Sequence, residues 1–152
     1  MVKLEYPKNL RFSCNRCGIC CGDTPEKTRH VLLLNTEAER LAQFVRKRVG
    51  EFAEKVEGKA PYVYETKKSH EGKCVFYTDS QCSVYRLRPL VCRFYPFELA
   101  PSEREIFRFR ATYECPCISS TEMEELSEAF FRRLLRFALR ELGSSAEFAQ
   151  SR

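Results

Sequence analysis

The sequence of 152 residues contains nine cysteines, and four of them fall within one stretch of eight residues. These four follow the pattern C-x2-C-x2-C-C and are Cys14, Cys17, Cys20 and Cys21. Thiolate sulfur is a preferred ligand of zinc and of iron–sulfur clusters, and gaps this short let one loop wrap a metal. Gly18 and Gly22 lie beside the cysteines, where glycine permits the tight backbone of such a loop. The stretch therefore predicts a site for a metal or a cluster.

Five further cysteines follow along the chain, and they are Cys74, Cys82, Cys92, Cys115 and Cys117. Structural zinc sites usually combine two separated knuckles of two ligands each. The triple-stepped first run is closer to the run that wraps a four-iron cluster, whose fourth ligand is a distant cysteine followed by proline. Cys115-Pro116 supplies such a pair, whereas Cys21 is a thiol that the ferredoxin run lacks. We therefore expect an iron–sulfur cluster, most simply 4Fe–4S, with zinc as the alternative.

The composition bears on the compartment and on the redox state of the thiols. The longest aliphatic run is Val31–Leu34, far too short to cross a bilayer, and the first residues lack a signal-peptide pattern. We expect a cytoplasmic protein, in which clustered cysteines are metal ligands or catalytic thiols more often than disulfides. The chain is rich in Glu, Lys and Arg and has no Trp, which is thermophile-like. Because intracellular proteins of hyperthermophiles can carry disulfides, disulfides between the later cysteines stay an alternative.

The formal charge of +5 counts every cysteine as neutral. A divalent zinc ion with four thiolates carries −2, as does a four-iron cluster in its 2+ state with four thiolates, so one site leaves about +3 and two leave about +1. Much of the apparent basicity is then compensation for thiolates and an ordinary solvated surface. Nucleic-acid binding is the less favoured interpretation of this charge.

The local patterns predict an α+β fold, a small cysteine-rich domain of short strands and a hairpin with one helix in the N-terminal half. Val31–Leu34 has the composition of a short strand. Thr36 and Glu39 have the spacing of a capping box, and apolar residues at helical spacing follow as far as Phe52. The polar segment of residues 51–59 is expected to finish this helix.

The next elements carry downstream cysteines. Strand-like runs on both sides of the turn Thr78–Gln81 predict a hairpin that brings Cys74 and Cys82 near each other. Pro89 suits the first position of a short helix that carries Cys92.

Two longer elements complete the chain. Alternating apolar and polar residues over Ile106–Tyr113 predict a half-buried strand that leads into Cys115. A wide apolar stripe predicts a long C-terminal helix over residues 121–142, with Thr121 and Glu124 as a second capping box.

The length fits a single domain over residues 1–152. Its parts are the cysteine-cluster region 12–117, the C-terminal helix 121–142 and a flexible tail, 144–152.

Together these motifs resemble the CxxCxxCC family, the YkgJ-like zinc- or iron-chelating domain. The matching stretches are Phe12-x-Cys14-x2-Cys17-Gly18-x-Cys20-Cys21, Gly72-x-Cys74-x-Phe76, Cys82-x-Val84-Tyr85 and Arg88-Pro89-x2-Cys92-Arg93-x-Tyr95-Pro96-Phe97. The resemblance covers residues 12–117. It implies as ligands Cys14, Cys17, Cys20, Cys21, Cys74, Cys82, Cys92 and Cys115. Cys117 lies outside this set and is a further candidate.

Arginines flank the downstream cysteines at Arg86, Arg88 and Arg93. Such residues can donate hydrogen bonds to sulfur and offset the charge of a cluster, which tunes its potential. The alternative is that they are ordinary surface arginines.

Three classes of function remain open. The first is a cytoplasmic iron–sulfur protein that transfers electrons or serves as an accessory redox subunit, with a protein partner and without a membrane. The second is a structural zinc module whose exposed face, with Arg104, Arg108 and Arg110, binds a protein or a nucleic acid. The third is a component of a cluster-dependent protein-modifying enzyme, since segments related to this family occur in a flagellin lysine methylase. No residue pattern marks a substrate cleft or a catalytic group, so whether the chain is an enzyme stays open.

Overall fold

The computed structural model describes residues 3–12, 17–25, 27–103, 106–112, 115, 118 and 125–143, with the side chains of residues 19 and 101–103 left out. The fold is α+β, as the sequence predicts. The chain divides into two compact units: the first comprises residues 1–16 and 94–139, the second residues 17–93 and 140–152. The single domain expected from the length stays a prediction.

Short elements dominate the described residues. The helices are α1 (Asn35–Val45), α2 (Val49–Phe52), α3 (Leu90–Phe94) and α4 (Glu128–Gly143). The strands are β1 (Lys3–Glu5), β2 (Leu32–Leu33), β3 (Ala53–Lys55), β4 (Tyr64–Thr66), β5 (Tyr77–Thr78), β6 (Gln81–Cys82), β7 (Phe97–Glu103) and β8 (Ile106–Ala111). None of the helices within these described ranges has the length and apolar character needed to span a bilayer.

The first unit is built on a three-stranded sheet of order β1-β8-β7. Strand β1 runs parallel to β8, with Lys3 opposite Ile106, and β7 runs antiparallel to it, with Phe97 opposite Ala111. The sequence predicts β8 from its alternation, and this prediction is confirmed. Strand β7 was not predicted, because its residues lack a period-two pattern and its pairing with β8 shifts register between Ala100 and Glu103.

Aromatic rings fill the core of the first unit. The ring of Phe131 on α4 is fully buried, and its centroid lies 5.0 Å from those of Tyr6 and Phe97 and 5.5 Å from that of Phe109. Stacked and edge-on ring pairs at such distances add to the gain from apolar burial.

The second unit has a three-stranded antiparallel sheet of order β2-β4-β3 and the separate hairpin β5-β6. Its core joins α1, α2, the sheet and the hairpin. Three cysteines belong to it or contact it: Cys74 is a core residue, and Cys82 and Cys92 pack against the core. The central ring pair is Phe52 and Phe76, with centroids 5.2 Å apart.

The first predicted helix begins and ends elsewhere. Helix α1 starts at Asn35, so the glutamate that bonds back to the chain before the helix is Glu37 and not Glu39: its Oε1 accepts a hydrogen bond from the Leu34 amide at 3.0 Å. The capping box assigned to Thr36 and Glu39 is therefore wrong. The helix stops at Val45 because Arg46 adopts a left-handed conformation.

The segment that was expected to finish this helix is instead partly a strand. A short second helix, α2, ends at Phe52, and residues 53–55 then extend to pair with β4. Pairing with β4 gives these backbone groups partners that a frayed helix end lacks.

The long C-terminal helix is confirmed, but its described part begins at Glu128. Residues 125–127 are not helical: the Leu126 amide donates to the Leu10 carbonyl at 2.8 Å, and the Ser127 hydroxyl accepts from the Phe130 amide at 3.3 Å as an N-cap. The proposed capping box of Thr121 and Glu124 lies outside the described residues.

Candidate metal centre

A single turn of 3-10 helix, Ile19–Cys21, shapes the described part of the cysteine loop. Gly18 before it has φ of +80°, and the Cys21 amide donates to the Gly18 carbonyl at 3.0 Å. A Cβ at Gly18 would lie 2.6 Å from Cζ of Tyr77. Both the left-handed backbone and the ring that covers it therefore require glycine in the motif.

Backbone hydrogen bonds join this loop to the segment before the hairpin. The Cys74 amide donates to the Cys21 carbonyl at 2.6 Å, and the Asp23 amide donates to the Gly72 carbonyl at 3.0 Å. Between them, Gly22 approaches so closely that a Cβ there would lie 2.6 Å from the Gly72 oxygen. Two cysteines of the predicted ligand set are thus held together by the main chain.

Asp23 fixes the far end of the loop. Its Oδ1 accepts from Lys68 Nζ at 2.7 Å and from the Arg29 amide at 2.8 Å. These bonds hold the pKa of the Asp23 carboxyl below its ordinary value. Sequence reasoning assigned Asp23 only to a polar turn. The signal that could have revealed it is its place directly after Cys21-Gly22, where the loop has to be anchored.

The predicted hairpin is confirmed, in a shorter form. Asp79 and Ser80, with φ of 51° and 62°, form its two-residue turn, and Cys82 lies opposite Tyr77; positive φ at both positions is typical of the type I′ hairpin turn. Cys74 precedes the strands and is buried, with its Sγ 3.5 Å from Thr66 Oγ1.

Cys92 lies on α3, the short helix predicted after Pro89. The Pro89 carbonyl accepts from the amides of Cys92 and Arg93 at 2.9 and 3.0 Å, which closes the first turn. The amide of Leu90, the first residue of α3, donates to Oε2 of Glu37 at 2.6 Å.

Cys20 and Cys21 titrate as a pair. The pKa of the Cys20 thiol is lowered to about 7, chiefly because the Cys21 thiol hydrogen-bonds to it and also because Arg29 and Arg88 favour its thiolate. The same hydrogen bond, together with burial, raises the pKa of Cys21.

The other thiols of the second unit act on one another. Burial raises the pKa of Cys82, and the negative charge of the Cys74 thiolate raises it further. The Val84 amide partly offsets this rise, because it donates a hydrogen bond to the Cys82 thiolate. Burial also raises the pKa of Cys92, with added repulsion from Cys20, Cys74 and Cys82. A bound cation would relieve this repulsion, since metal ligands bind as thiolates.

The predicted arginines have different surroundings. Arg88 stacks on the Tyr85 ring, with Cζ 3.8 Å from its centroid, and favours the thiolates of Cys20 and Cys82. Arg93 instead donates to the carbonyls of Arg88 at 3.1 Å and of Arg86 at 2.7 Å, so it braces the segment.

One arginine close to the thiols was missed by the sequence reasoning. Arg29 is buried and favours the Cys20 thiolate, but its position after a polar turn gives no signal of this role. Arg86 is exposed and contributes its carbonyl oxygen.

The structure relates some of the predicted ligands to one another. Five of the predicted ligands influence the pKa values of one another, and all five are free thiols: Cys20, Cys21, Cys74, Cys82 and Cys92. Cys17 is exposed, and Cys115 is buried in the first unit. Cys14 and Cys117 lie outside the described residues.

The donor set fits a thiolate-bound metal on its chemistry, because zinc and iron–sulfur clusters take cysteine sulfur. The five interacting thiols lie in the second unit, where Arg29 and Arg88 favour the thiolate of Cys20. Among the described residues, no three cysteine, histidine or carboxylate side chains form a group that could hold a metal ion. The ligand set itself therefore stays a prediction.

The α+β fold and the number of its cysteines define a small cysteine-rich domain. The chain belongs to the CxxCxxCC family, described as "Putative zinc- or iron-chelating domain", whose family model matches residues 13–126. The resemblance seen in the sequence is thereby confirmed. Comparisons with curated proteins and with solved structures give no match.

Proposed function

We propose that this chain holds an iron–sulfur cluster through its CxxCxxCC motif and downstream cysteines, and that it transfers electrons or serves as an accessory redox subunit in the cytoplasm. The observation that carries the proposal is that the folded chain brings the cysteine loop to the downstream cysteines: the Cys74 amide donates to the Cys21 carbonyl at 2.6 Å, and Cys82 and Cys92 pack against the core that contains Cys74. The triple-stepped C-x2-C-x2-C run is closer to the run that wraps a four-iron cluster than to the paired knuckles of structural zinc sites. Hydrogen bonds to sulfur and nearby cations, which tune cluster potentials, also support it.

A protein partner belongs to this proposal, since an electron carrier needs a donor and an acceptor. Phe44 is 57% exposed, and the next residues outside α1, which are Arg46, Lys47 and Arg48, are exposed as well. An aromatic side chain beside cations fits a partner surface that is acidic around an apolar pocket. Replacing Lys47 and Arg48 with glutamate should weaken such binding. An affinity for the partner that changes neither with this replacement nor with the salt concentration would exclude this surface as the binding site.

Zinc is the second candidate, because the family description names zinc beside iron. A structural zinc module would use the same thiols and would contribute folding energy without redox chemistry. A component of a protein-modifying enzyme would additionally need a substrate site, and no described residue supplies evidence for one.

Metal analysis of protein purified without oxygen separates these candidates. We expect iron and acid-labile sulfide, with a broad visible absorption that bleaches on reduction. Cys82→Ser should lose most of the iron, while Gln81→Ser, at the exposed neighbouring position on β6, should keep it. Stoichiometric zinc without iron, in protein that also stays colourless after reconstitution with iron and sulfide, would exclude the cluster.

A further inference from the structure

Glu37 is a buried carboxylate whose two oxygens have separate partners. It lies in the first turn of α1 and is 5% exposed. Its Oε1 accepts from the Leu34 amide at 3.0 Å, and its Oε2 accepts from the Leu90 amide at 2.6 Å. A carboxylate removed from water needs such partners, because burial without hydrogen bonds is costly. Capping of α1 uses only Oε1, so capping does not explain the second bond.

The second bond reaches the helix that carries a predicted ligand. Leu90 is the first residue of α3, and Cys92 follows two positions later. The Leu90 amide has no partner inside its helix, as is general for the first amides of a helix. Glu37 therefore ties the start of α3 to the start of α1, and this bond fixes the place of the turn from which the Cys92 thiol projects.

Few side chains other than glutamate could bind both the Leu34 and the Leu90 amide from position 37. Glutamine has one carbonyl oxygen, and its amide nitrogen would face an N–H donor, so it can satisfy one of the two amides. Aspartate keeps both oxygens but is one methylene shorter. Both oxygens of Glu37 already accept hydrogen bonds, so a bracing role accounts for the residue better than direct ligation of a metal.

We propose that Glu37 is a positioning residue of the metal centre: it holds α3 against α1 and so keeps Cys92 packed against the core that contains Cys74. The inference rests on the proposed function in taking Cys92 as a ligand. Residues that orient metal ligands typically change metal affinity by about 10–100-fold when replaced, and we expect Glu37 to act in this range.

The test compares Glu37→Gln with Glu39→Gln, a matched control on the same helix whose exposed side chain accepts a hydrogen bond from the Asn35 amide group at 3.2 Å. In metal-free protein, we measure hydrogen–deuterium exchange of the Leu90 amide and the alkylation rate of Cys92. In loaded protein, we measure release of the metal or cluster to a chelator. Glu37→Gln should speed all three, with release faster by about 10–100-fold, and Glu39→Gln should match the wild type.

The outcomes separate the two proposals. Wild-type protein that binds neither metal nor cluster overturns the proposed function and this inference with it. The positioning role alone is overturned if the wild type binds the metal or cluster and the Glu37→Gln variant exchanges its Leu90 amide and releases the metal or cluster at wild-type rates. If Glu37→Gln does not fold, the same three measurements are made on Glu37→Asp, which keeps the charge and both acceptor oxygens. Wild-type values in Glu37→Asp would overturn the positioning role, whereas faster exchange of the Leu90 amide and faster release of the metal or cluster would support it.

Discussion

The backbone amide of Cys74 donates a hydrogen bond of 2.6 Å to the carbonyl oxygen of Cys21. This bond joins two predicted ligands that are far apart in the sequence, and it does so through main-chain atoms. The second bond of this ladder, from the Asp23 amide to the Gly72 carbonyl, extends the contact past Gly22. The cysteine loop and the segment before the hairpin therefore form one backbone framework, on which the thiols are carried.

Gly22→Ala should break this framework. Its Cβ would lie 2.6 Å from the Gly72 oxygen and 2.7 Å from the Lys73 Cα, both backbone atoms that cannot move aside locally. We expect a loss of about 1–3 kcal/mol in the free energy of unfolding, as for overpacked sites, measured by urea denaturation. Gly50→Ala is the matched control, because a Cβ at Gly50 has nothing within 4 Å; in a helix this replacement should be neutral or slightly stabilising. Equal stabilities of the two variants would contradict the close approach.

The Cys20–Cys21 pair should make Cys20 the most reactive of the five interacting thiols in metal-free protein, because the thiolate is the reactive form. Half-maximal alkylation of Cys20 is expected at a pH of about 7, its lowered pKa. Cys92 should stay unlabelled there, since burial raises its pKa. Cys21→Ala removes the hydrogen-bond donor and should move the Cys20 midpoint upward, whereas Cys21→Ser keeps a donor. Mass spectrometry over a pH series measures both, and an unmoved midpoint in Cys21→Ala would show that the hydrogen bond has no such effect.

Metal removal should introduce a loss of stability at alkaline pH. In the metal-free fold the pKa values of Cys82 and Cys92 lie above their ordinary value of 9.0. The folded state then binds protons more tightly than the unfolded chain, so the contribution of these thiols to stability is present below pH 9.0 and is lost as the pH rises through their folded pKa values. Metal-loaded protein should instead lose stability as the pH falls, because metal ligands must be deprotonated and acid therefore releases the metal.

Thermal unfolding across pH, with and without metal, measures this difference. Cys92→Ser should weaken the alkaline decline of the metal-free protein, since it removes one of the shifted groups. If the melting temperatures of metal-free wild type and Cys92→Ser fall equally as the pH rises, the buried thiols do not cause the alkaline loss of stability.

Phe131→Ala should strongly destabilise the first unit. The side chain is fully buried against the rings of Tyr6, Phe97 and Phe109, and truncation of a buried phenylalanine costs about 3–5 kcal/mol. Phe44→Ala, which removes the same atoms from an exposed position, should change stability by about 0.5 kcal/mol or less. Chemical denaturation measures both, and similar losses would show that Phe131 does not hold a core.

The sequence predicts several elements correctly because their signals are local. Asp79 and Ser80 suit a tight turn, Pro89 suits the start of a short helix, and alternation marks β8; the structure confirms all three elements. The first helix was placed less well, because Thr36 and Glu39 also have capping-box spacing. The glutamate that caps the helix is Glu37, and its second oxygen accepts from the amide of Leu90, a residue distant in sequence that only the folded chain brings near.

By itself, the sequence determined the family, the thiol chemistry and the α+β class, because residue types, short spacings and periodicity carry that information locally. The tertiary structure decided the rest. It placed Cys21 against Cys74 and Glu37 against Leu90, and it buried Arg29 beside Cys20. Contacts of this kind depend on how distant segments pack. No local sequence pattern encodes them, because hydrogen bonding and desolvation act through space, whatever the separation of the two residues along the chain.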